Sequence, residues 1–216
     1  MVKIFVINIS DERWERYKDN ERFTRWEGCD GKKLSMDFID KNYIIYWNAN
    51  ESHKRCVAGC GESHLSLLRH IYENKIDDAI ILEDDVDIDF DRLDILKDVN
   101  EFCYLGGHFQ GKTLKHKPYT GILFEGVNTI TAFTFTIAGA YGYYIPTYDI
   151  AESLYINIMS KTKRRGFDCE LRRLQKGNKI KKFIYPAIVE LYLPVAQTGF
   201  SCQSSNFKLT DSKKFY

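Results

Sequence analysis

The segment AIILEDDVDIDFD, residues 79–91, constrains the fold more than any other part of this sequence. It begins with four consecutive apolar residues and then carries six carboxylates within nine positions: Glu83, Asp84, Asp85, Asp87, Asp89 and Asp91. An apolar run this short, without alternation, is typical of a strand that is covered on both faces. Like charges this close are tolerated when they are well solvated, partly protonated or bound to a cation. The segment therefore predicts a buried central strand with acidic groups at its carboxyl end.

The rest of the chain alternates between strand and helix patterns. Strand patterns occur at 2–9, 23–33 and 77–85, helix patterns follow Ser10 and cover 59–75 and 90–102, and strands cluster after 121 before helix patterns at 147–160 and 163–176. This alternation indicates a sheet with crossover helices. We expect an α/β fold with a central, mostly parallel sheet flanked by helices and a more β-rich C-terminal half. The length of 216 residues fits one domain, 1–216, with no internal linker.

Charge is distributed unevenly along the chain. The net charge of +1 argues against a dedicated nucleic-acid binder, but residues 83–101 carry nine acids against two bases, and residues 161–182 carry ten bases against two acids. The asymmetry suits a site that holds both a cation and an anionic partner, with two solvated faces as the alternative. The basic segment 161–182 could also dock peripherally on an anionic membrane surface.

Compartment is indicated by the cysteines and by the first residues. The six cysteines are scattered, and a chain of this size does not need a disulfide framework. The opening apolar run is too short for the core of a signal peptide and meets charges at once. The uncharged stretch 126–148 alternates like β-strands, so we predict no membrane-spanning segment. We expect a reducing, cytoplasmic setting.

The acids after the apolar run predict a metal site. Side chains alternate along a strand, so Glu83, Asp85 and Asp87 are expected on one face and Asp84 on the other. Ligands of open α/β sheets bind beyond the carboxyl ends of the strands. Mg²⁺ and Mn²⁺ prefer oxygen ligands and commonly share them with phosphates. We therefore expect these acids to hold a divalent cation against a diphosphate.

Two other parts of the sequence resemble metal sites. Asp85, Asp87 and Asp89 match the start of an EF-hand loop, but Phe90 stands where that loop needs glycine and Leu96 where it needs glutamate, which excludes the motif. The second candidate is a zinc site, whose ligands would be Cys56, Cys60 and His64, with His53 nearby.

The glycines flanking Cys60 speak against the zinc site. Gly59 and Gly61 suggest that the helix begins there, and a helix start offers free N–H groups to a phosphate. Buried cysteines are also frequently just small apolar residues.

Taken together, several motifs resemble glycosyltransferase family 25, the lipooligosaccharide-biosynthesis and collagen-galactosyltransferase-like enzymes. They are FVINISDERWER with Asn8 and Arg13, RWEGCDGKKL with Asp30, AGCGESHLSLLRHI with Gly59, Cys60, Ser63 and His64, AIILEDDV with Glu83, Asp84 and Asp85, AGAYGYYIP, and GFDCEL with Asp168. The closing YLPVAQTGFSCQSS is similar more loosely, with Ser201 or Ser204 as the counterpart of the family's serine.

The resemblance implies a GT-A-like fold, a UDP-hexose donor (most often UDP-galactose) and Mn²⁺ or Mg²⁺. It implies donor contacts from Asn8, Arg13, Asp30, Gly59, Ser63, His64, Glu83 and Asp84, and metal ligands among Asp85, Glu83 and Asp87. For an inverting transfer Asp168 is the candidate base, with Glu170 second and an ion-pair role as the alternative. His64 is expected to pack and hydrogen-bond beside the site. The acceptor would be a glycan, a lipooligosaccharide or a protein-linked sugar.

The sequence is also compatible with two further functions. A nucleotidyltransferase also uses paired acids on an α/β platform, but releases pyrophosphate from a nucleoside triphosphate. An inactive glycan-binding or scaffold module of the same fold is the non-enzymatic alternative, against which the intact acidic signature argues.

Overall fold

A computed structural model describes residues 2–46, 49–110, 125–130, 136–185 and 187–192. Within these ranges the chain forms eleven strands: β1 Lys3–Asn8, β2 Phe23–Glu27, β3 Ala79–Glu83, β4 Val86–Ile88, β5 Cys103–Tyr104, β6 His108–Gln110, β7 Gly126–Thr129, β8 Thr136–Ala138, β9 Gly142–Ile145, β10 Lys182–Tyr185 and β11 Val189–Leu191. The α-helices of the described part are α1 Asp11–Trp14, α2 Met36–Asn42, α3 Glu51–Glu73, α4 Tyr148–Met159 and α5 Phe167–Lys176. Two 3₁₀ helices cover Gly31–Lys33 and Phe90–Asp98.

A seven-stranded sheet organises the fold in the order β2-β1-β3-β9-β5-β10-β7. β1 is parallel to both β2 and β3, and β5 is parallel to β10. β9 is antiparallel to both β3 and β5, and β7 is antiparallel to β10. Five of the seven strands therefore run in one direction. The α/β architecture with a central, mostly parallel sheet flanked by helices, predicted from the sequence, is confirmed.

The sheet is covered on both faces because residues 4–7 of β1 and 79–82 of β3 are all apolar. Phe5 and Ile81 pack into one buried cluster, together with the apolar faces of α3, α4 and α5. Ile4 and Ile80 point to the other side and pack with residues near α1 and the second 3₁₀ helix. This two-sided burial explains why the β3 segment shows no alternation.

α3 begins eight residues earlier than its glycines suggest. Asn50 caps its start by accepting a hydrogen bond from the N–H of His53, and Gly59 lies inside the helix. A Cβ atom at Gly59 would stand 2.7 Å from the backbone N of Gly31, so the residue is glycine because two backbones meet there. The predicted helix start at Gly59, and with it the free N–H groups for a phosphate, is wrong.

The remaining elements agree with the sequence prediction in kind but differ in extent. The helix after Ser10 is only one turn long, and the helix predicted over 90–102 is a 3₁₀ helix. α4 and α5 confirm the predicted C-terminal helices, while the strand patterns of TITAF and FTFTI fall partly on 131–135, outside the described residues. No helix of the described ranges combines the length and apolar composition needed to cross a bilayer.

Candidate donor and metal site

The acidic segment leaves the sheet in a turn. β3 ends at Glu83, Asp84 and Asp85 form the turn, and Val86–Ile88 begin a separate two-stranded sheet with β11. The acids therefore do not alternate along one strand, and the expectation that Glu83, Asp85 and Asp87 share a strand face is wrong. The turn instead aims each carboxylate at a different set of neighbours.

Asp84 ties this turn to the first strand and helix. Its Oδ2 accepts a hydrogen bond from Nδ2 of Asn8 at 2.8 Å, and its Oδ1 pairs with Nη1 of Arg13 at 2.6 Å. Asn8 and Asp84 are both buried. The other terminal nitrogen of Arg13, Nη2, is buried and has no hydrogen-bond partner in the described structure. Asp84 thus fixes the turn, while Arg13 keeps one donor free for an anionic or carbonyl group.

Asp85 is the buried acid of the turn whose charge is not compensated. The residue is 4% exposed, and its Oδ1 is buried without a hydrogen-bond partner in the described structure. Burial, followed by the charges of Glu83 and Asp84, raises the pKa of Asp85 to about 7 despite the opposing effect of Arg13. A carboxylate in this position gains from a cation, because the attraction of the cation offsets both the burial and the neighbouring negative charges.

A side chain of α3, itself contacted by a side chain of β9, fixes the position of Glu83. Its Oε1 lies 3.2 Å from Nε2 of His64, whose Nδ1 lies 2.9 Å from the hydroxyl of Tyr143. Burial raises the pKa of Tyr143 well above its ordinary value, so its hydroxyl keeps the proton and can donate it to Nδ1 when Nε2–H of His64 faces Glu83. Phe167 of α5 stacks on the imidazole, with 4.3 Å between ring centroids. Oε2 of Glu83 makes no hydrogen bond within the described ranges and stays available to a ligand.

Cys60 lies where the acids converge. Its Sγ is 3.9 Å from Oε1 of Glu83, and burial, then Glu83, Asp168 and Asp85, raise the pKa of its thiol well above the ordinary value. These influences place Asp168 of α5 in the same region as Glu83 and Asp85.

The zinc site proposed from spacing is replaced by a different grouping. Cys56 is disulfide-bonded, so it is not a free thiolate. Cys60, His64 and Glu83 place ligand atoms within 4.8 Å of one another. Because the thiol is held in its protonated form and His64 already contacts Glu83, we interpret this group as a hydrogen-bonded cluster.

Asp87 does not join the other acids. It lies on β4 and pairs with Nη2 of Arg16 at 2.7 Å, with its side chain 64% exposed. The guanidinium of Arg16 stands over the ring of Tyr192, 3.6 Å from its centroid. The N–H of Tyr192 donates to the carbonyl of Asp85 at 2.7 Å. The contacts of Arg16 and Tyr192 with the acidic segment are not predicted by the sequence patterns. The position of Arg16, one turn after Arg13, is the signal that could have indicated a second arginine beside the acids.

The two candidate bases have different surroundings. Oδ1 of Asp168 accepts the N–H of Cys169 at 2.7 Å, and Asp168 forms no ion pair within the described ranges. Glu170 is 3% exposed, with Oε1 accepting the N–H of Arg165 and Oε2 pairing with Nε of Arg173 at 2.7 Å. The ion-pair role considered as the alternative for Asp168 is instead filled by Glu170, and among the described residues Asp168 remains the acid without an ion pair.

Three residues predicted to contact the sugar-nucleotide donor make hydrogen bonds that hold the frame of the site: Ser63, Gly59 and Asp30. Ser63 is buried; its Oγ accepts from the N–H of Cys29 at 2.8 Å and donates to the carbonyl of Gly59. Asp30 caps the first 3₁₀ helix through the N–H of Lys32 at 2.9 Å. Direct donor contacts from these residues stay predictions, and Ser201 and Ser204 lie outside the described residues.

Residues 1–161 of this chain match glycosyltransferase family 25 (LPS biosynthesis protein). The class that the α/β fold and this match define is a glycosyltransferase, an enzyme that in general takes a nucleotide-sugar donor and a glycan acceptor. Because the match covers well over half of the 216 residues, the chain belongs to glycosyltransferase family 25. No match was found among curated proteins.

The family match ends before α5. It includes every candidate residue from Asn8 to Asp87, and it leaves Asp168 and Glu170 outside. The assignment of Asp168 as base therefore depends on its position near Cys60 and not on the match.

Proposed function

We propose that this chain is a metal-dependent, inverting hexosyltransferase. Its donor is a UDP-hexose, in the first place UDP-galactose, and its acceptor is a glycan, a lipooligosaccharide or a protein-linked sugar. The membership in glycosyltransferase family 25 supports the class of reaction. The proposal of metal dependence is carried by Asp85, whose buried Oδ1 has no partner in the described structure.

The donor groups around the turn fit a hard divalent cation. Asp85 offers Oδ1 and Glu83 offers Oε2, and both are carboxylate oxygens of the kind that Mn²⁺ and Mg²⁺ prefer. Asp87 is engaged by Arg16, so we leave it out of the proposed ligand set. A bound cation would supply Lewis-acid stabilisation of the diphosphate that leaves during transfer.

The remaining residues prepare this arrangement. Asn8 and Arg13 hold Asp84 and thereby fix the turn, and Nη2 of Arg13 is a buried donor for the uracil or a phosphate. His64 keeps Oε1 of Glu83 in place and so turns Oε2 outward. Asp168 takes the proton from the attacking hydroxyl of the acceptor, a step worth roughly 10²–10⁴-fold in rate. We propose a cytoplasmic location for the enzyme, in which the Cys56 disulfide would be reduced, since disulfides are rare in that compartment.

Donor binding and metal dependence are tested together on Asp85. A thermal-shift screen of nucleotide sugars with and without Mn²⁺ should show a rise in melting temperature that needs both, since a ligand that binds only the folded state stabilises it. Asp85→Ala should abolish this shift and the Mn²⁺-dependent hydrolysis of the UDP-sugar. Asp94→Ala, which removes an exposed acid of the same run, should retain both. Metal-dependent hydrolysis retained in Asp85→Ala would reject the assignment.

The same assay separates the alternatives. Release of pyrophosphate from a nucleoside triphosphate would identify a nucleotidyltransferase. The absence of both hydrolysis and a thermal shift with every sugar nucleotide would support a glycan-binding module without activity.

A further inference from the structure

The exposed apolar side chains of this chain are concentrated on one face. Six large apolar residues are at least 40% exposed within the described ranges, and four of them are Ile44, Tyr46, Ile156 and Met159. Single exposed apolar residues are ordinary, but a group of them indicates a contact surface.

Backbone and side-chain contacts bring these four residues together. The N–H of Ile44 donates to the carbonyl of Arg164 at 2.7 Å, and Nη1 of Arg164 contacts Sδ of Met159. Ile156 and Met159 are three residues apart on α4 and so share one face of that helix. Tyr46 follows Ile44 by two residues. The segment after α2 and the end of α4 therefore form one continuous surface.

Positive charges border this surface. Lys161, Lys163 and Arg165 are all exposed in the loop that follows α4. We call the surface formed by Ile44, Tyr46, Ile156, Met159, Lys161, Lys163 and Arg165 the apolar-basic face.

A cavity of about 320 Å³ opens beside the apolar-basic face. Its apolar lining comes from Ile39, Tyr43, Ile44 and Ile45, and its cationic lining from Lys54 and Lys163. Among the described lining residues the acid is Asp40, whose carboxylate pairs with Lys54 at 3.5 Å and whose carbonyl accepts a hydrogen bond from Nζ of Lys163. Two lysines against one carboxylate leave the cavity with a net positive charge.

The basic run 161–182 is not one surface in the structure. Arg164 is buried and pairs with Glu62 at 2.7 Å, and Arg173 pairs with Glu170. Of the segment 161–182, for which the sequence suggested membrane contact, only the exposed basic residues of the apolar-basic face are therefore considered below.

The composition of the apolar-basic face favours a lipid surface over a protein. Lysine is depleted from protein–protein interfaces, whereas it is the residue that borders apolar groups at a bilayer surface. The aliphatic part of a lysine side chain covers apolar surface while its amine reaches the lipid phosphates. Tyrosine is also frequent at the level of the lipid headgroups. Each basic residue near an anionic surface adds attraction that salt screens.

We infer that the apolar-basic face docks this chain on an anionic bilayer, with Lys54 and Lys163 receiving a lipid phosphate at the cavity. The inference goes beyond the proposed function and does not depend on it, because none of these side chains belongs to the donor site.

The test is co-sedimentation of the full chain with vesicles of phosphatidylcholine alone or with phosphatidylglycerol added, at low and high salt. The wild type should bind the anionic vesicles at low salt and lose most binding at high salt. The double variant Lys161→Glu/Lys163→Glu should lower the partition coefficient by roughly 30-fold or more. Ile44→Ser/Met159→Ser should lower it about 10-fold through lost apolar burial.

Matched controls keep the test specific to this face. Lys97→Glu/Lys176→Glu changes the net charge equally at exposed positions on the second 3₁₀ helix and α5, and Val127→Ser removes an exposed apolar residue elsewhere. Both should bind vesicles like the wild type, and all variants should keep UDP-sugar hydrolysis. Equal losses in the controls, no effect of either face variant, or binding of a protein partner without vesicle binding would overturn the inference.

Discussion

Nε2 of His64 lies 3.2 Å from Oε1 of Glu83, and the opposite ring nitrogen lies 2.9 Å from the hydroxyl of Tyr143. The three residues come from α3, β3 and β9 and form a hydrogen-bonded chain that ends at Glu83, an acid of the proposed donor site. A carboxylate whose one oxygen is fixed presents the other in a defined direction. His64 is therefore a positioning residue for Glu83, which refines the packing role expected from the sequence.

Replacing His64 should weaken metal binding and activity without removing a ligand. His64→Ala should cost about 10–100-fold in Mn²⁺ affinity and kcat/KM, the range found for residues that orient metal ligands. His64→Gln should recover part of this loss, because its amide can donate to Glu83 in place of Nε2. Mn²⁺ titration together with steady-state kinetics measures both, and equal losses in the two variants would point to packing alone.

The stability of the metal-free protein should depend on pH through Asp85. Its pKa is raised to about 7 in the folded state, mainly by burial, while an unfolded aspartate titrates near its ordinary value of about 3.9. The folded chain therefore holds a proton that the unfolded chain releases. The contribution of this proton to the free energy of unfolding is present in full below about pH 4 and is lost as the pH rises through about 7.

Asp85→Asn should remove this dependence. In the presence of a chelator at about pH 8, the variant should be more stable than the wild type by on the order of 2–4 kcal/mol. At about pH 4 the difference should nearly vanish, because both carry a neutral side chain there. Denaturant unfolding at the two pH values measures this, with Asp94→Asn as an exposed control. An equal difference at both pH values would contradict the assignment.

Asp168 and Glu170 should respond to substitution in opposite ways. Asp168→Asn should keep the UDP-sugar thermal shift while transfer to acceptor falls by roughly 10²–10⁴-fold. Glu170→Gln should lower stability by about 1–3 kcal/mol, since it weakens a buried pair with Arg173, and should change transfer little. Melting curves and transfer rates of both variants decide the matter. Loss of donor binding in Asp168→Asn would show that this aspartate is structural.

Gly59→Ala should destabilise the protein although alanine favours helices. The added Cβ would approach the backbone of Gly31 to 2.7 Å, and overpacking of this kind costs about 1–3 kcal/mol. Gly177→Ala at the end of α5 is the matched control, because its Cβ would meet nothing closer than 3.5 Å. Denaturant unfolding compares the two. Wild-type stability of Gly59→Ala would mean that the two backbones separate without cost.

The sequence predicted those features that depend on local pattern. The apolar runs predict β1 and β3, and the sequence offers Ser10 or Asp11 as a helix cap, of which Ser10 caps α1. The acids were correctly placed at the carboxyl end of β3. These features follow from residue order alone, because burial on both faces and capping each leave a mark in neighbouring positions.

Features that depend on distant contacts were predicted less well. The sequence suggests a helix start at Gly59, but glycine stands there because the backbone of Gly31, a residue of a different element, leaves no room for a Cβ atom. Asp87 was grouped with Glu83 by alternation, yet the chain turns between them. The contact of Tyr143 with His64 joins residues 79 positions apart, and no local pattern records it.

The pairing of β4 with β11 has a consequence for biosynthesis. Val86 faces Leu191, and the N–H of Tyr192 closes on the carbonyl of Asp85, so the acidic turn is braced by residues made about a hundred positions later. Chains emerge from the ribosome from the N-terminus onward. The acids are therefore synthesised about a hundred residues before β11, and the acidic turn takes its braced form only after that strand has left the ribosome.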